Sequence, residues 1–397
     1  MNVIFISPHF PSHFYQFCER LKTRGVNVLG IGDALYEQIS EECQRSLTEY
    51  QYVSSLEDYE QVYRKVAYYI YHYGRIDYVE SENEYWLELD AQIRTDFHIT
   101  TGPQIEDMAV MNHKSLMKKA YQRVGIPTAR WLLVTTLKEA LAFANEVHYP
   151  VIVKPDKGVG ATFTYKLNND DDVKHFWKTK DPSIQFIEEE YVPGHVETFD
   201  GITNSHKDIL FCASQVLPGS LMDAVNLDQD VVSYCQAPEK DLYEIGNRLI
   251  KEFDTRNKFF HFEFFRLDQD KEGLGKKGDI IGLEVNMRAP GGYIPDKMNY
   301  AFETDVYTIW ADSLIYDRCF MNSEFKYYIT HIGRKKTISY QYNYEEIRNR
   351  FSSCLISEKD VPDILAGEMG NHAFLLRAST YEEMLEQIHF ILERKDQ

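Results

Sequence analysis

The chain has 397 residues and a mass of 46.6 kDa, room for two or three domains. Its composition is 44% hydrophobic and 26% charged, which excludes wholesale disorder. Lys and Arg number 43 against 62 Asp and Glu, and the net charge of −19 argues against nucleic acid or an anionic membrane as partner. A local cationic pocket for a small phosphate ligand remains compatible with that balance.

None of the six cysteines forms a CxxC pair, so neither a disulfide framework nor a structural zinc site is expected. The opening MNVIFISPHF lacks a basic leader. No apolar run approaches the ~18 residues of a membrane span. A cytoplasmic protein with reduced thiols is the expectation. The abundant tyrosine and phenylalanine are read as packing rather than as a ligand box.

Val3–Ile6 reads as a short buried strand. Ser12 is the expected cap of a helix whose apolar face is Phe14, Phe17, Cys18 and Leu21, with Gly25 ending it. Val26–Ile31 is a second strand. Tyr59, Val62, Tyr63, Val66 and Ile70 form a helical face closed by Gly74, and Asp77–Val79 begins a third strand. Strand–helix–strand alternation predicts a parallel sheet. The loop after the first strand, Ser7-Pro8-His9-Phe10-Pro11, lacks the glycines that let backbone approach a pyrophosphate, which argues against a dinucleotide oxidoreductase. His9 and His13 stand at the carboxyl end of this sheet, where a plain surface role is preferred.

From Met111 the texture changes. Met111–Val124 reads as one basic amphipathic helix, ended by Gly125-Ile126-Pro127. Leu137–Val147 is a second helix. Val151–Pro155 is a β-branched strand carrying Lys154, followed by the small-residue turn Gly158–Thr162 and a return strand over Phe163–Leu167. Asn168–Asp172 starts the next helix. Asp268–Asp279, with three glycines, reads as a hairpin loop.

Three segments carry candidate chemistry. Lys154 beside the Gly158–Thr162 turn suits phosphate, because backbone N–H groups can converge on an anion while the ammonium adds charge. Taken alone, an ordinary glycine hairpin explains it better. The acidic run Glu188-Glu189-Glu190, before Tyr191-Val192-Pro193-Gly194, can border an adenine edge as a connection between subdomains. By itself it reads as a solvated charge run. The strongest segment is a hairpin. On Phe260–Phe265, His261, Glu263 and Phe265 share a face; on Ile281–Arg288, Glu284, Asn286 and Arg288 share one. Pairing would set Glu263 beside Glu284 and Asn286. Two carboxylates and an amide oxygen suit Mg²⁺, and without a cation the two carboxylates would repel. Arg288 can clamp an anion bidentately.

In their order these segments resemble the ATP-grasp superfamily. Lys114 stands in a helix ending Gly125-Ile126-Pro127. Tyr149-Pro150-Val151-Ile152-Val153-Lys154-Pro155 follows, then the glycine turn, the acidic connection, Glu263 and finally Glu284-Val285-Asn286-Met287-Arg288. The resemblance covers roughly residues 1–325 and is nearest to carboxylate–amine ligases and to the carbamoyl-phosphate-synthase and biotin-carboxylase branch. It implies an α/β fold with a Rossmann-like pre-ATP-grasp domain (1–110), an ATP-grasp domain (111–325, lid about 120–190) and a small C-terminal α/β domain (326–397).

The resemblance also implies roles. Lys114, Lys154, Gly158 and Gly160 would meet ATP phosphates. Glu189, Glu190 and Val192 would border adenine, partly through backbone, and His195 or Glu197 would lie near the ribose. Glu263, Glu284 and Asn286 would hold Mg²⁺, with Mn²⁺ as a substitute. Arg288, with Lys154, would stabilise the transferred phosphoryl group. The implied reaction is attack of a carboxylate on the γ-phosphate, giving an acyl-phosphate, which an amine such as an amino acid then opens. Its partners would be those two small molecules, with no nucleic acid and no membrane, in a homodimer. The chain lacks a biotinyl-acceptor Met-Lys-Met, a second grasp unit and a glutaminase companion, which weakens the carboxylase and carbamoyl-phosphate alternatives. A non-catalytic ATP-binding regulator is the other alternative. Tyr293, Asp296 and Lys297 meet either the second substrate or solvent. Asp223 and Asn226, in Pro218–Asp230, would fold over the pocket. The strand Ala373–Arg377 and helix Tyr381–Leu392 of the tail are read as structural.

Overall fold

The structure, a computed structural model, describes residues 1–158, 163–219 and 228–395. Gly160, Asp223 and Asn226 lie outside the described residues. Strands β1 (Asn2–Ile6), β2 (Asn27–Gly32), β3 (Glu49–Tyr52) and β4 (Tyr78–Glu80) form a parallel sheet in the order β3-β2-β1-β4. Strand β3 escapes sequence reading because its residues, Glu-Tyr-Gln-Tyr, are only partly covered at the sheet edge. The helix Tyr15–Lys22 buries Phe17, Cys18 and Leu21 as the spacing predicts, but its cap is Phe14 with no side-chain bond, not Ser12. In the helix Tyr59–Tyr73 the buried stripe is Val62, Val66 and Tyr69, which leaves Tyr63 exposed. The Tyr69 hydroxyl donates to the Gly30 carbonyl at 2.7 Å, so its burial leaves no orphaned donor.

Strands β5 (Trp131–Leu133), β6 (Val151–Pro155), β7 (Tyr165–Leu167) and β8 (Phe186–Glu190) form an antiparallel sheet in the order β5-β8-β6-β7. The helices Leu137–Val147 and Asp170–Thr179 cover one face, packing Ala140, Phe143, Val147, Val173 and Phe176 on Val151 and Val153. The Asn169 side chain caps the second helix by accepting from Asp171 N and Asp172 N, worth about 1 kcal/mol. Strand alternation then leaves Ile152 and Lys154 on the other face.

The third sheet has eight strands: β9 (Gly194–Thr203), β10 (Ile209–Leu217), β11 (Val231–Gln236), β12 (Phe259–Leu267), β13 (Ile280–Asn286), β14 (Tyr328–Arg334), β15 (Leu355–Asp360) and β16 (His372–Ala378). Their order is β13-β12-β9-β10-β11-β14-β16-β15, with every pairing antiparallel. Residues beyond 326 therefore extend this central sheet. Against one face lie the helices Lys114–Arg123 and Lys240–Glu252, packing Met117, Tyr121, Leu242 and Leu249 on Phe199, Phe260, Phe262 and Phe264. On the other face, Ile202, Phe211 and Phe259 meet Phe17, Met298 and Trp310, which joins the first unit to the sheet. Phe17 meets both Tyr307 and Trp310 edge-on, at centroid distances of 4.8 and 5.0 Å.

The expected helix Met111–Val124 is two helices, Met108–Asn112 and Lys114–Arg123, broken at extended His113. Asp156 is the cause. Its carboxylate accepts from Ser115 N at 2.8 Å and its carbonyl from Lys114 N at 2.9 Å, so a residue after β6 satisfies the amides at the new helix start.

Candidate functional site

The site sits where β12 and β13 meet the four-stranded antiparallel sheet. Glu263 pairs directly with Glu284, and His261 with Asn286. All four residues face the same side, as the alternation predicts. A bulge follows Glu263, opposite Leu283, and does not disturb this pairing. Glu263 and Glu284 are held differently. Burial pushes both carboxyls up. For Glu263, the hydrogen bond from His261 and the charges of His261, Arg288 and Lys154 outweigh burial and hold it below the ordinary range. Glu284 stays raised, because the charges of Glu263 and Glu84 add to burial and outweigh Lys114 and Lys154.

The Asp156 anchor turns the start of helix Lys114–Arg123 toward this hairpin. Lys114 Nζ lies 3.3 Å from Glu284 Oε1 and donates to the Gly158 carbonyl at 3.1 Å. Lys154 Nζ lies 3.2 Å from Glu189 Oε2, and Lys118 Nζ lies 3.1 Å from Glu189 Oε1. Those two ammonium groups overcome burial and hold the Glu189 carboxyl down at about 2. Lys118 was not singled out in the sequence. Its signal was the four-residue spacing from Lys114, one helix turn along the same face. Arg288 donates to Glu84, beyond β4, and to the Ala289 carbonyl at 2.9 Å. Glu82 accepts from Ala289 N at 2.7 Å.

Behind Glu263 lies a chain of buried partners. His261 Nε2 is 3.0 Å from Glu263 Oε1 and His261 Nδ1 is 2.6 Å from Asp200 Oδ1. Burial lowers this imidazole's pKa, but the two carboxylates raise it to about 9, so it carries a proton on each nitrogen.

Other expected residues stand apart. Glu190 lies on the helix-covered face of β8, opposite in direction to Glu189, and pairs with Arg130 at 2.7 Å. Val192 is buried with Ala129, Leu267 and Ile281, on the connection between β8 and β9. His195 and Glu197 alternate with Val196 and Thr198, so they face away from the side that carries Glu263. His195 lies 2.8 Å from Asp268 and Glu197 lies 2.9 Å from Arg266. The acids of Glu188–Glu190 are inside a strand and buried, not a solvated run. Lys297 is 1% exposed, so the solvent reading of that side chain is wrong.

The donor set fits Mg²⁺. Two hard carboxylates face each other, an amide oxygen shares their side, and cations stand close enough to meet a polyphosphate. Among the described residues no group of three His, Cys, Asp or Glu side chains could hold a metal by itself.

Comparison with known proteins gives the fold its context. Residues 113–185 match the model of the carbamoyl-phosphate synthase L chain ATP-binding domain. An L-arginine-specific L-amino acid ligase of Bacillus subtilis is 25% identical over 255 residues, 61% of this chain. The chain spans 57% of that ligase's own length. The crystal structure of an L-amino acid ligase from Bacillus licheniformis superposes with a TM-score of 0.70 at 14% identity, covering 98% of this chain and 96% of that one. The biotin carboxylase domain of Hydrogenobacter thermophilus 2-oxoglutarate carboxylase, solved with MgADP and bicarbonate, superposes with a TM-score of 0.66 at 13% identity, over 98% of this chain and 88% of that one. The chain thus shares the ATP-grasp fold of these solved structures, and Lys114, Lys154, Glu263, Glu284, Asn286 and Arg288 stand in sequence along it.

Proposed function

We propose that the protein is an ATP- and Mg²⁺-dependent, ADP-forming ligase that joins a small carboxylate to an amine. The observation that carries this reading is the in-register pair Glu263–Glu284, with Lys114 on Glu284 and Arg288 two residues past the end of β13. The amino acid ligases similar to this chain support it.

Glu263, Glu284 and Asn286 would hold Mg²⁺, which when bound neutralises the β- and γ-phosphate oxygens. Lys114 and Lys154 meet the phosphates beside Gly158. The backbone around Glu189, Glu190 and Val192 borders adenine, because their side chains are engaged elsewhere. The substrate carboxylate oxygen attacks the γ-phosphorus as the bond to the ADP oxygen breaks. Arg288 offers its guanidinium to the transferring phosphoryl group. The amine nitrogen then attacks the acyl carbon, phosphate leaves with the bonding electrons, and the nitrogen loses a proton. No protein nucleophile is needed, since positioning and charge neutralisation carry this chemistry.

The test is ADP release from Mg-ATP with pools of amino acids, other small carboxylates and bicarbonate. Release that requires both a carboxylate and an amine is expected. Glu284→Gln should lower it by ~100-fold or more with the fold intact, as for loss of a group that stabilises transition-state charge. Full turnover in that variant, stimulation by bicarbonate alone, or ATP binding without ADP release in any pool would each overturn the reading.

A further inference from the structure

The polar side of the central sheet continues past Glu263. On β9, Thr198 pairs with Glu263 and Asp200 with His261. Ala213 pairs with Asp200, which sets Gln215 of β10 across from Thr198, and the Thr198 hydroxyl accepts from Gln215 N at 3.0 Å. Gln215 pairs in turn with Cys235 on β11, and Ser233, two residues before it, pairs with His331 on β14. Glu263, Thr198, Asp200, Gln215, Ser233 and His331 thus face one side of five adjacent strands. Nearer the other end of the strands this side is apolar and packed on the first unit.

Over this polar floor lies the helix Ile294–Phe302, which begins two residues after Gly292. It sends Lys297 down onto the sheet, where Nζ donates to Ser233 Oγ at 2.8 Å. Lys297 is 1% exposed and no carboxylate lies within ion-pair distance of it among the described residues. Two buried neighbours also hold polar atoms without partners among the described residues. Among the described residues, both side-chain polar atoms of Gln215 and Nδ1 of His331 make no hydrogen bond. His331 Nε2 is 3.0 Å from the Met369 carbonyl, which can only accept, so Nε2 carries the hydrogen and Nδ1 is an acceptor. Burial outweighs the charges of Cys235 and Asp200 and pulls Lys297 down to about 8, and burial keeps His331 neutral. Orphaned polar groups of this kind are costly unless something fills the space between them.

We propose that Lys297, Ser233, Gln215 and His331 form the acceptor pocket, and that it selects an amine bearing a free carboxylate, an amino acid. This rests on the ligase reading above. Lys297, Ser233 and the Gln215 amide hydrogens hold the carboxylate; Gln215 Oε1 and His331 Nδ1 accept from the amino group. Lys297 and Lys359 both act on His331 and Asp200 offsets Lys297, so a net charge of one matches a monoanion better than a phosphate dianion. Two strand spacings, about 10 Å, separate the Gln215 and Glu263 columns, a distance that an amino acid together with the acyl group it attacks can span. His331 comes from the C-terminal region, so that region supplies part of the site.

Thermal melts of the full chain in Mg-ADP test this, with each of the common amino acids set against its amide. At least one amino acid should raise the melting temperature while its amide does not, and Lys297→Met, still folded by circular dichroism, should lose that response. Should Lys297→Met fail to fold, Ser233→Ala serves, with binding expected to weaken about tenfold for a hydrogen bond to a charged group. Equal responses to acid and amide, no response to any amino acid, or unaltered binding in the folded variant would overturn the pocket. ADP release measured in parallel separates the two readings. Turnover that accepts amides as well as acids removes the pocket and leaves the ligase. Acid-selective binding without turnover keeps the pocket and removes the ligase.

Discussion

Consecutive glutamates on one strand meet opposite surroundings. Glu189 points at Lys118 and Lys154, whereas Glu188 points to the face where Val153 and the two helices pack. Its Oε1 is buried and without a partner among the described residues, and burial raises its carboxyl from the ordinary 4.5 to about 8. A raised carboxyl binds its proton more tightly in the folded state. Its contribution to stability is therefore whole below about pH 4.5 and is lost as pH rises through about 8. Glu188→Gln removes the titration but keeps the shape. The variant should gain on the wild type as pH rises, so the difference in melting temperature should be larger at pH 8.5 than at pH 5. A difference that stays constant with pH would refute the assignment. The run of acids was legible in the sequence, but which acid faces which neighbour depends on strand alternation relative to helices far along the chain.

The hairpin of β12 and β13 was the most legible element, because its alternation and its glycine turn fix the Glu263–Glu284 pairing locally. What lies behind it was not legible. Asp200 reaches His261 across 61 residues, and Asp156 breaks the Met111–Val124 pattern from 41 residues past Ser115. Strand order decides both contacts, and no local spacing encodes strand order. The bulge in the hairpin has its own cause. Gly282 lies under the buried ring of Tyr121, and an added Cβ would come within 2.6 Å of a ring carbon. Gly282 N also donates to the Pro127 carbonyl at 2.8 Å, tying the strand to the turn after the lysine helix. Gly282→Ala should therefore force ring and strand apart, at a cost of about 1–3 kcal/mol. Urea denaturation measures that cost, and turnover should fall further as Glu284, two residues on, leaves Lys114. Wild-type stability and turnover together would show that the close approach is not needed.

At the scale of the whole molecule, the first unit contributes charge as well as packing. The segment after β4 runs Ser81-Glu82-Asn83-Glu84, and Glu82 takes a positive φ of 52° that directs it at the end of β13. Glu80 binds Lys258 before β12, Glu82 accepts from Ala289 N, and Glu84 accepts from Arg288. Three acids from one end of the parallel sheet thus brace the strand ends that carry the candidate site. The parallel sheet itself was legible from alternation, but its contact with Arg288 spans 204 residues and was not. If Glu84 orients the guanidinium, Glu84→Gln keeps an acceptor of the same shape and removes the charge that fixes it. Misplacing a catalytic group by a fraction of an ångström to an ångström is enough to cost ~10–100-fold in rate. The expected result is a fall in kcat of that order, with KM for ATP and the melting temperature little changed. Glu84→Asp should restore part of the rate, because it returns the charge. A clamp that only joins two domains would behave in the opposite way: the melting temperature would drop and kcat would hold. That outcome would confine the first unit to support, and Arg288 would owe its position to the segment after β13 alone.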